Sequence, residues 1–308
     1  MFKTPQDILK IYKEGYNATL FSEKDVDSTL SKLRHPLFGD SAKGLKDTGK
    51  GKIALPYKLV QKHDPNFASD EMQQTGDCTS HGIRNASTIS LVGDIEERLE
   101  TEQYISRLAT EVIYGYRGHS GQGMSVALAA EFVNNYGGIA LRKKYGKYDL
   151  TNYNPSLGIN WGRTGVPSSI IKEISGNQVA TISLIQSIEE LRDAIYNGYG
   201  VAVGSNFGFS NTRDKNGISF VSGRWNHCMC FGGMDDTLDR YSETLFLILN
   251  SWGEWNAGPR VLDQPLGSLW TPASIVEKMI KQKQTWVLGN VKGFPSKKIN
   301  WDKLNEIL

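Results

Sequence analysis

The most informative stretch of the sequence is QQTGDCTSHG, residues 73–82, because it places a cysteine at the start of a predicted helix. Gly76 and Asp77 favour a turn, and the residues after Cys78 begin an amphipathic pattern that predicts a helix over about 78–92. A thiol at a helix N-terminus lies at the positive end of the helix dipole, which favours the thiolate. Cys78 is therefore a candidate nucleophile, although the segment is equally compatible with an inert buried cysteine.

The second informative segment, RWNHCMCFGGMDD, spans residues 224–236, and His227 stands in it at the start of an apolar run. Side chains alternate between the two faces of a strand, so His227 is expected to face away from Cys228 and Cys230. A metal site built from these three residues would be geometrically awkward and would lack a second pair of ligands at the usual spacing. The two cysteines are better explained as core residues. His227 is either a catalytic base or a structural histidine.

The third segment is LFLILN, residues 245–250, which is followed by SWGEWN. Five consecutive apolar residues predict a strand that is buried on both faces, and a polar amide at its end is costly unless it is hydrogen bonded. Asn250 is therefore a candidate to orient a histidine. The alternative is a turn-forming asparagine before Ser251, Trp252 and Gly253.

The pattern along the chain is mainly helical in the first half and mainly β in the second, which predicts an α+β fold. A short helix is expected over residues 5–13, and the Gly- and Lys-rich stretch 39–52 is expected to be a loop or linker. The longer elements are predicted helices over 78–92, 101–116, 124–135 and 187–197, and predicted strands over 179–185, 200–207, 227–232 and 244–250.

Composition excludes some classes of function. The 308 residues include 35 Lys and Arg against 33 Asp and Glu, without a basic stripe, so nucleic acid is not an expected partner. No run of eighteen apolar residues occurs, and the N-terminal residues lack an apolar stretch of signal-peptide length, so we expect neither a membrane protein nor a secreted one. Three cysteines form no disulfide framework. These features favour a location in a cytoplasm, or in a virion that is assembled in a cytoplasm.

Taken together, the three segments resemble the papain family of cysteine peptidases. They match, in family order, a glutamine shortly before Gly and Cys at a helix start, an Asn and His at the opening of a strand, and an Asn-Ser-Trp-Gly after another strand. The family's histidine and asparagine lie about 130 to 150 residues beyond its cysteine. His227 falls in that interval and Asn250 slightly beyond it. Further likeness, over roughly residues 55–290, comes from Leu55-Pro56-Tyr57, from GHSGQGMSVALA (118–129) and from NNYGGIALRKKYG (134–146).

The resemblance implies a papain-like two-lobe fold with an active-site cleft between the lobes. It implies a catalytic domain over residues 55–293, in which a mainly helical lobe (about 55–165) precedes a β-barrel-like lobe (about 166–293). Residues 1–54 are then an N-terminal extension of helix plus linker, and 294–308 a C-terminal tail. The segment SWGEWNAGPRVLDQPLGSLWTPASIV, residues 251–276, is similar to the branch of the family found in bacteriophage genomes.

The resemblance also implies an activity, hydrolysis of peptide or amide bonds in a peptide or protein substrate, with no cofactor and no metal. Cys78 would be the nucleophile, His227 the base and Asn250 the residue that orients the base. Gln73 would bind the oxyanion, with Gln74 as the alternative. Virion or host proteins are further expected partners.

Four positions depart from the family's pattern or compete with it. Thr79 replaces the aromatic residue that usually follows the nucleophile, and Thr75 replaces a disulfide cysteine. Met72 stands where the family's oxyanion glutamine normally lies. His81, one helical turn after Cys78, could compete as the base. Two alternatives therefore stay open, a structural or host-interaction protein that retains the fold, and an acyl transferase that uses the same three residues.

Overall fold

A computed structural model describes residues 6–7, 22–68, 71–97, 106–136, 138–177 and 179–307. Of the helix predicted over residues 5–13, all but residues 6 and 7 lie outside this part of the chain. Among the described residues, none of the helices has the length and apolar character needed to cross a membrane.

Helices dominate the first half of the chain, and strands dominate the second half. The eleven α-helices of the described residues are α1 (Glu23–Lys32), α2 (Phe38–Ser41), α3 (Pro56–Gln61), α4 (Cys78–Glu96), α5 (Glu111–Gly115), α6 (Val126–Glu131), α7 (Pro155–Thr164), α8 (Ser168–Ile174), α9 (Ile188–Tyr196), α10 (Ala273–Ile280) and α11 (Trp301–Ile307). The strands are β1 (Ile53–Ala54), β2 (Lys144–Tyr145), β3 (Tyr148–Asp149), β4 (Thr181–Leu184), β5 (Gly200–Phe209), β6 (Val221–Asp235), β7 (Leu245–Leu249), β8 (Leu269–Pro272) and β9 (Thr285–Gly289). The α+β pattern predicted from the sequence is confirmed.

The main sheet has the strand order β4-β9-β5-β6-β7-β8, and β1 pairs with β6 beside this path. All of its ladders are antiparallel. Within the described residues the sheet is open, so the barrel-like second lobe contains no closed barrel. Every residue of β7 is buried, as its five consecutive apolar residues predict.

Helix α4 is packed against this sheet so closely that two glycines are required. A Cβ atom on Gly200 of β5 would lie 1.8 Å from the carbonyl oxygen of Ala86 in α4. A Cβ atom on Gly82 of α4 would lie 2.7 Å from the Sγ of Cys228 in β6. The backbones of α4, β5 and β6 can therefore approach one another only because these two positions carry no side chain.

Burial of α4 corrects one detail of the sequence analysis. The helix begins at Cys78 as predicted, but it is not amphipathic, because residues on all of its sides are buried. Some of its buried polar residues form hydrogen bonds instead of facing water; for example, the Ser90 hydroxyl donates to the Leu288 carbonyl and accepts from the Gly200 amide. An apolar stripe could not have predicted this packing.

Two further segments differ from their predicted structure. The helix expected over 101–116 covers only Glu111–Gly115 in the described residues, because Leu108 forms a β-bridge with Leu141 before the helix begins. The loop or linker expected over 39–52 contains short helices and turns that are bonded to the body of the protein. The Asp193 carboxylate accepts from the amides of Asp47 and Gly49, and Leu45 is buried.

Candidate active site

Cys78 is the first residue of α4, a helix of 19 residues, and its side chain is buried. Asp77 occupies the N-cap position, and its carbonyl accepts from the backbone amides of Ser80 and His81. The sulfur therefore lies where the unpaired amides and the dipole of a long helix favour negative charge. This is the position that the sequence predicted for the candidate nucleophile.

His227 and Asn250 form a direct hydrogen bond of 2.7 Å between His227 Nε2 and Asn250 Oδ1. The Ser251 amide donates to the same Oδ1 atom at 2.7 Å, which identifies that atom as the oxygen of the side-chain amide. His227 must then donate from Nε2, so the lone pair of the neutral ring lies on Nδ1. The sequence prediction that Asn250 contacts a histidine is confirmed.

Trp252 covers this hydrogen bond. Its ring lies 4.3 Å from the His227 ring, centroid to centroid, with 32° between the planes. Both side chains are fully buried. Removal of water strengthens a hydrogen bond, so Trp252 holds the imidazole plane in place and protects its bond to Asn250.

Gln73, not Gln74, is bonded to the segment that follows Asn250. The Oε1 atom of Gln73 accepts from the Ser251 hydroxyl at 2.6 Å and from the Trp252 indole N–H at 3.1 Å. Its Nε2 atom donates to the Thr75 carbonyl at 2.8 Å. Gln74 is only partly buried, and its backbone amide donates to the Tyr153 hydroxyl. The side-chain amide of Gln73 is therefore fixed in one orientation.

Strand β6 positions His227 and places it near the start of α4. The β5–β6 ladder is regular up to the pair Ser205 and His227, and an irregularity follows directly after it, which is where bulges redirect side chains beside functional sites. Cys228, the next residue, contacts Gly82 of α4. Burial raises the pKa of Cys228 well above its usual value, and the nearby Cys78 raises it further.

The electrostatic environment of His227 favours the neutral ring. Burial lowers the pKa of His227 to about 3; the hydrogen bond to Asn250 opposes this shift, and the neighbouring His81 adds to it. An isolated imidazolium is therefore disfavoured at this position. A proton taken from an adjacent thiol is a different case, because the resulting thiolate supplies the opposite charge.

The ring nitrogens of His81 face two carboxylates, whereas His227 is hydrogen bonded to an asparagine. Its Nε2 atom lies 3.5 Å from Asp77 Oδ2, and its Nδ1 atom lies 3.9 Å from Glu71 Oε1. Its ring packs edge-on against Tyr153. The competing base of the sequence analysis thus lies between two carboxylates.

The two threonines that depart from the family's pattern, Thr75 and Thr79, both form hydrogen bonds. The Thr75 hydroxyl donates to Gln122 Oε1 at 2.8 Å, and the Gly76 amide donates to the same atom at 2.6 Å. The Thr79 hydroxyl donates to the Met124 carbonyl at 2.9 Å. These bonds attach the Gly-rich segment 118–129 to the loop of Cys78, at the position where the resemblance would have placed a disulfide.

Sequence reasoning missed two residues that hold this loop, Gln122 and Tyr153. The Tyr153 hydroxyl donates to the Asp77 carboxylate at 2.7 Å. Gln122 lies in a segment that the sequence analysis had quoted for its glycines, and Tyr153 lies in TNYN, which carried no motif. Only the glutamine's place between two glycines could have drawn attention to it.

No metal centre is indicated: in the described ranges, no group of three His, Cys, Asp or Glu side chains could hold a metal ion. Cys78, Cys228 and Cys230 form no disulfide in the described part of the chain, and all three are buried. Cys228 and Cys230 are core residues of β6, and burial also raises the pKa of Cys230. Both thiols are therefore protonated at neutral pH.

The sequence matches no protein-family model and no curated protein sequence. Its structure resembles that of xylellain, a cysteine protease from Xylella fastidiosa, with a TM-score of 0.50 and 17% identity over 89% of this chain and 91% of xylellain. Procathepsin B S9 of Trypanosoma congolense (TM-score 0.47, 12% identity, 94% and 98% covered) and procathepsin L 3 of Tenebrio molitor (0.43, 14%, 94% and 100%) are more distant in shape. The chain therefore has the papain-like protease fold, as the sequence predicted.

Proposed function

We propose that this protein is a cysteine peptidase that hydrolyses peptide or amide bonds through Cys78, His227 and Asn250. One observation carries the proposal: the buried hydrogen bond between His227 Nε2 and Asn250 Oδ1, which Trp252 covers, at the end of a strand in a papain-like fold. This bond fixes the tautomer in which Nδ1 can accept a proton, and the helix that begins with Cys78 packs on the strand that carries His227.

In the proposed reaction, His227 Nδ1 takes the thiol proton, and the Cys78 sulfur attacks the substrate's carbonyl carbon. The Cys78 backbone N–H and the Gln73 side-chain amide stabilise the oxyanion. His227 then gives its proton to the leaving amine, and the thioester remains on Cys78. Water, deprotonated by His227, attacks the thioester and releases the acid and the thiol. Burial lowers the pKa of His227, so the protonated ring is favoured only near a negative charge, first the thiolate and then the oxyanion of the tetrahedral intermediate.

Alkylation of Cys78 by iodoacetamide between pH 4 and 9 tests the ion pair without a known substrate. Wild-type Cys78 is expected to react rapidly below pH 6, and His227→Ala is expected to slow the reaction at pH 6 by about tenfold to a hundredfold. Peptide-resolved mass spectrometry separates Cys78 from Cys228 and Cys230, which serve as internal controls. Ordinary thiol behaviour with a midpoint near ~8.5, unchanged by the mutation, would favour a structural role.

We propose Gln73, not Gln74, as the side-chain donor of the oxyanion site, and the hydrogen bonds that anchor its amide to Ser251 and Trp252 support this choice. Gln73→Ala is expected to lower kcat by about 10²-fold to 10³-fold with little change in KM, because an oxyanion donor acts mainly in the transition state. Gln74→Ala is the matched control and is expected to retain near-wild-type kcat. A loss in Gln74→Ala alone would reverse the assignment. Thermal unfolding of both variants separates catalysis from stability.

The biological setting remains a proposal. We propose a bacteriophage-type peptidase that acts in a host cytoplasm or a virion on a peptide or protein, without nucleic acid or membrane as a partner. The absence of disulfides among the described cysteines and the sequence of residues 251–276 support this setting. We further propose that residues 55–293 form the catalytic domain, with lobes over about 55–165 and 166–293, and that residues 1–54 are a docking arm. Full activity of the unprocessed chain would exclude an inhibitory role for that arm.

A further inference from the structure

The residue before the proposed nucleophile is acidic, which is an unfavourable choice for thiolate chemistry. Asp77 is buried, and although it occupies the N-cap position its side chain makes no capping hydrogen bond. A carboxylate next to Cys78 repels a thiolate and reduces the positive potential that the helix N-terminus provides at the sulfur. A cysteine peptidase with this sequence therefore needs a positive charge that offsets Asp77.

His81 is the side chain that can supply this charge. Its ring is 1% exposed, and its two nitrogens face Asp77 Oδ2 at 3.5 Å and Glu71 Oε1 at 3.9 Å. Neither nitrogen forms a hydrogen bond in the described part of the chain, and neither does Asp77 Oδ1. A ring with a carboxylate oxygen on each side suits an imidazolium, which carries N–H groups on both nitrogens.

Tyr153 cannot perform the same task. Its hydroxyl donates to Asp77 Oδ2 at 2.7 Å, and burial together with the Asp77 charge raises the pKa of the phenol. Tyr153 therefore remains a neutral donor that stabilises the carboxylate while leaving its negative charge in place.

Glu71 does not compete strongly for His81. Burial alone would raise the pKa of Glu71, but Arg84, Arg142 and, to a smaller extent, His81 outweigh it and lower the pKa to about 2. Arg84 pairs with Glu71 directly, and Arg142 Nη2 lies 3.0 Å from it. The charge of Glu71 is thus offset by two arginines. His81 also contributes to the lowered pKa of His227, across the boundary between α4 and β6.

We propose that His81 is a positioning residue that offsets the charge of Asp77 and so keeps Cys78 in the thiolate form. The inference rests on the proposed function, because it assigns His81 a part in activating the same nucleophile. His81 acts through Asp77 and does not contact the substrate.

The test measures the pH midpoint of Cys78 alkylation by iodoacetamide in the full chain, with peptide-resolved mass spectrometry. His81→Gln is expected to raise the midpoint by roughly one pH unit, since it leaves the Asp77 charge uncompensated. Asp77→Asn is expected to lower the midpoint, because it leaves the positive charge of His81 unopposed. The double variant is expected to return to within about 0.3 units of wild type. His63→Gln, at an exposed histidine paired with Glu96, is the control and should leave the midpoint unchanged.

An unchanged midpoint in His81→Gln would overturn the inference, as would equal upward shifts in His81→Gln and the double variant, which would indicate a structural effect. Loss of folding by one variant cannot imitate the downward shift expected for Asp77→Asn. Repeating the series in a His227→Ala background separates the two proposals. If His227→Ala leaves the midpoint unchanged while the His81 and Asp77 variants shift it, the proposed function alone is contradicted. If His227→Ala shifts the midpoint while the His81 and Asp77 variants leave it unchanged, this inference alone is contradicted.

Discussion

Cys78→Ala is expected to abolish peptide hydrolysis almost completely, with kcat/KM lower by on the order of 10⁴-fold to 10⁶-fold. Without the sulfur no thioester forms, and the oxyanion donors and binding contacts provide only the small remainder of catalysis. His227→Ala should have a loss of similar size, because nucleophile and base act as one unit. The double variant should therefore be no worse than either single variant.

Hydrolysis of an unfolded protein and of a fluorogenic peptide library by the purified full chain measures this effect. Cys230→Ala is the matched control, because it also removes a buried sulfur but from the core of β6. Activity in Cys78→Ala above a tenth of the wild-type rate would contradict the assignment. If wild-type Cys78 alkylates rapidly but releases no acid product, a mass increase on an added amine would identify acyl transfer instead.

The strands of the site could be predicted because their sequences are unambiguous. Apolar runs at 227–232 and 244–250 predicted strands that the structure places at Val221–Asp235 and Leu245–Leu249. A strand buried on both faces requires continuous apolar residues, and few other structures do. The predicted ends were less accurate for β6, because its exposed first residues carry no apolar pattern.

The contacts that complete the site could not be predicted in the same way. Gln73 is bonded to Ser251, 178 positions away, and Thr75 is bonded to Gln122, 47 positions away. Such hydrogen bonds leave no periodicity in the sequence, since a single polar side chain reaches a single partner. The resemblance to a family could rank Gln73 above Gln74, but only the packing against Trp252 distinguishes their environments.

The same limit applies to the C-terminal tail that the sequence analysis placed after residue 293, whose packing could not be predicted. Residues 294–304 lie against the body, with Phe294, Trp301 and Leu304 buried. Lys297 Nζ lies 2.8 Å from Asp94 Oδ1 in α4, and both side chains are 0% exposed. The same ammonium lies 3.3 Å from the Gly198 carbonyl and 4.0 Å from the centre of the Tyr199 ring. A lysine in a polar stretch gives no sign of such burial.

Lys297→Met is expected to lower the free energy of unfolding by about 3 to 5 kcal/mol, because it leaves the Asp94 carboxylate buried without a counter-charge. Lys297→Met combined with Asp94→Asn should recover most of this loss, since neither partner is then charged. Urea unfolding followed by fluorescence measures both variants, and Lys298→Met, at the exposed neighbouring lysine, is the control. Equal stability of Lys297→Met and Lys298→Met would mean that the C-terminal segment is not held by this ion pair. A measured loss of stability would show that the ion pair between Lys297 and Asp94 holds the C-terminal segment against α4, the helix that begins with Cys78.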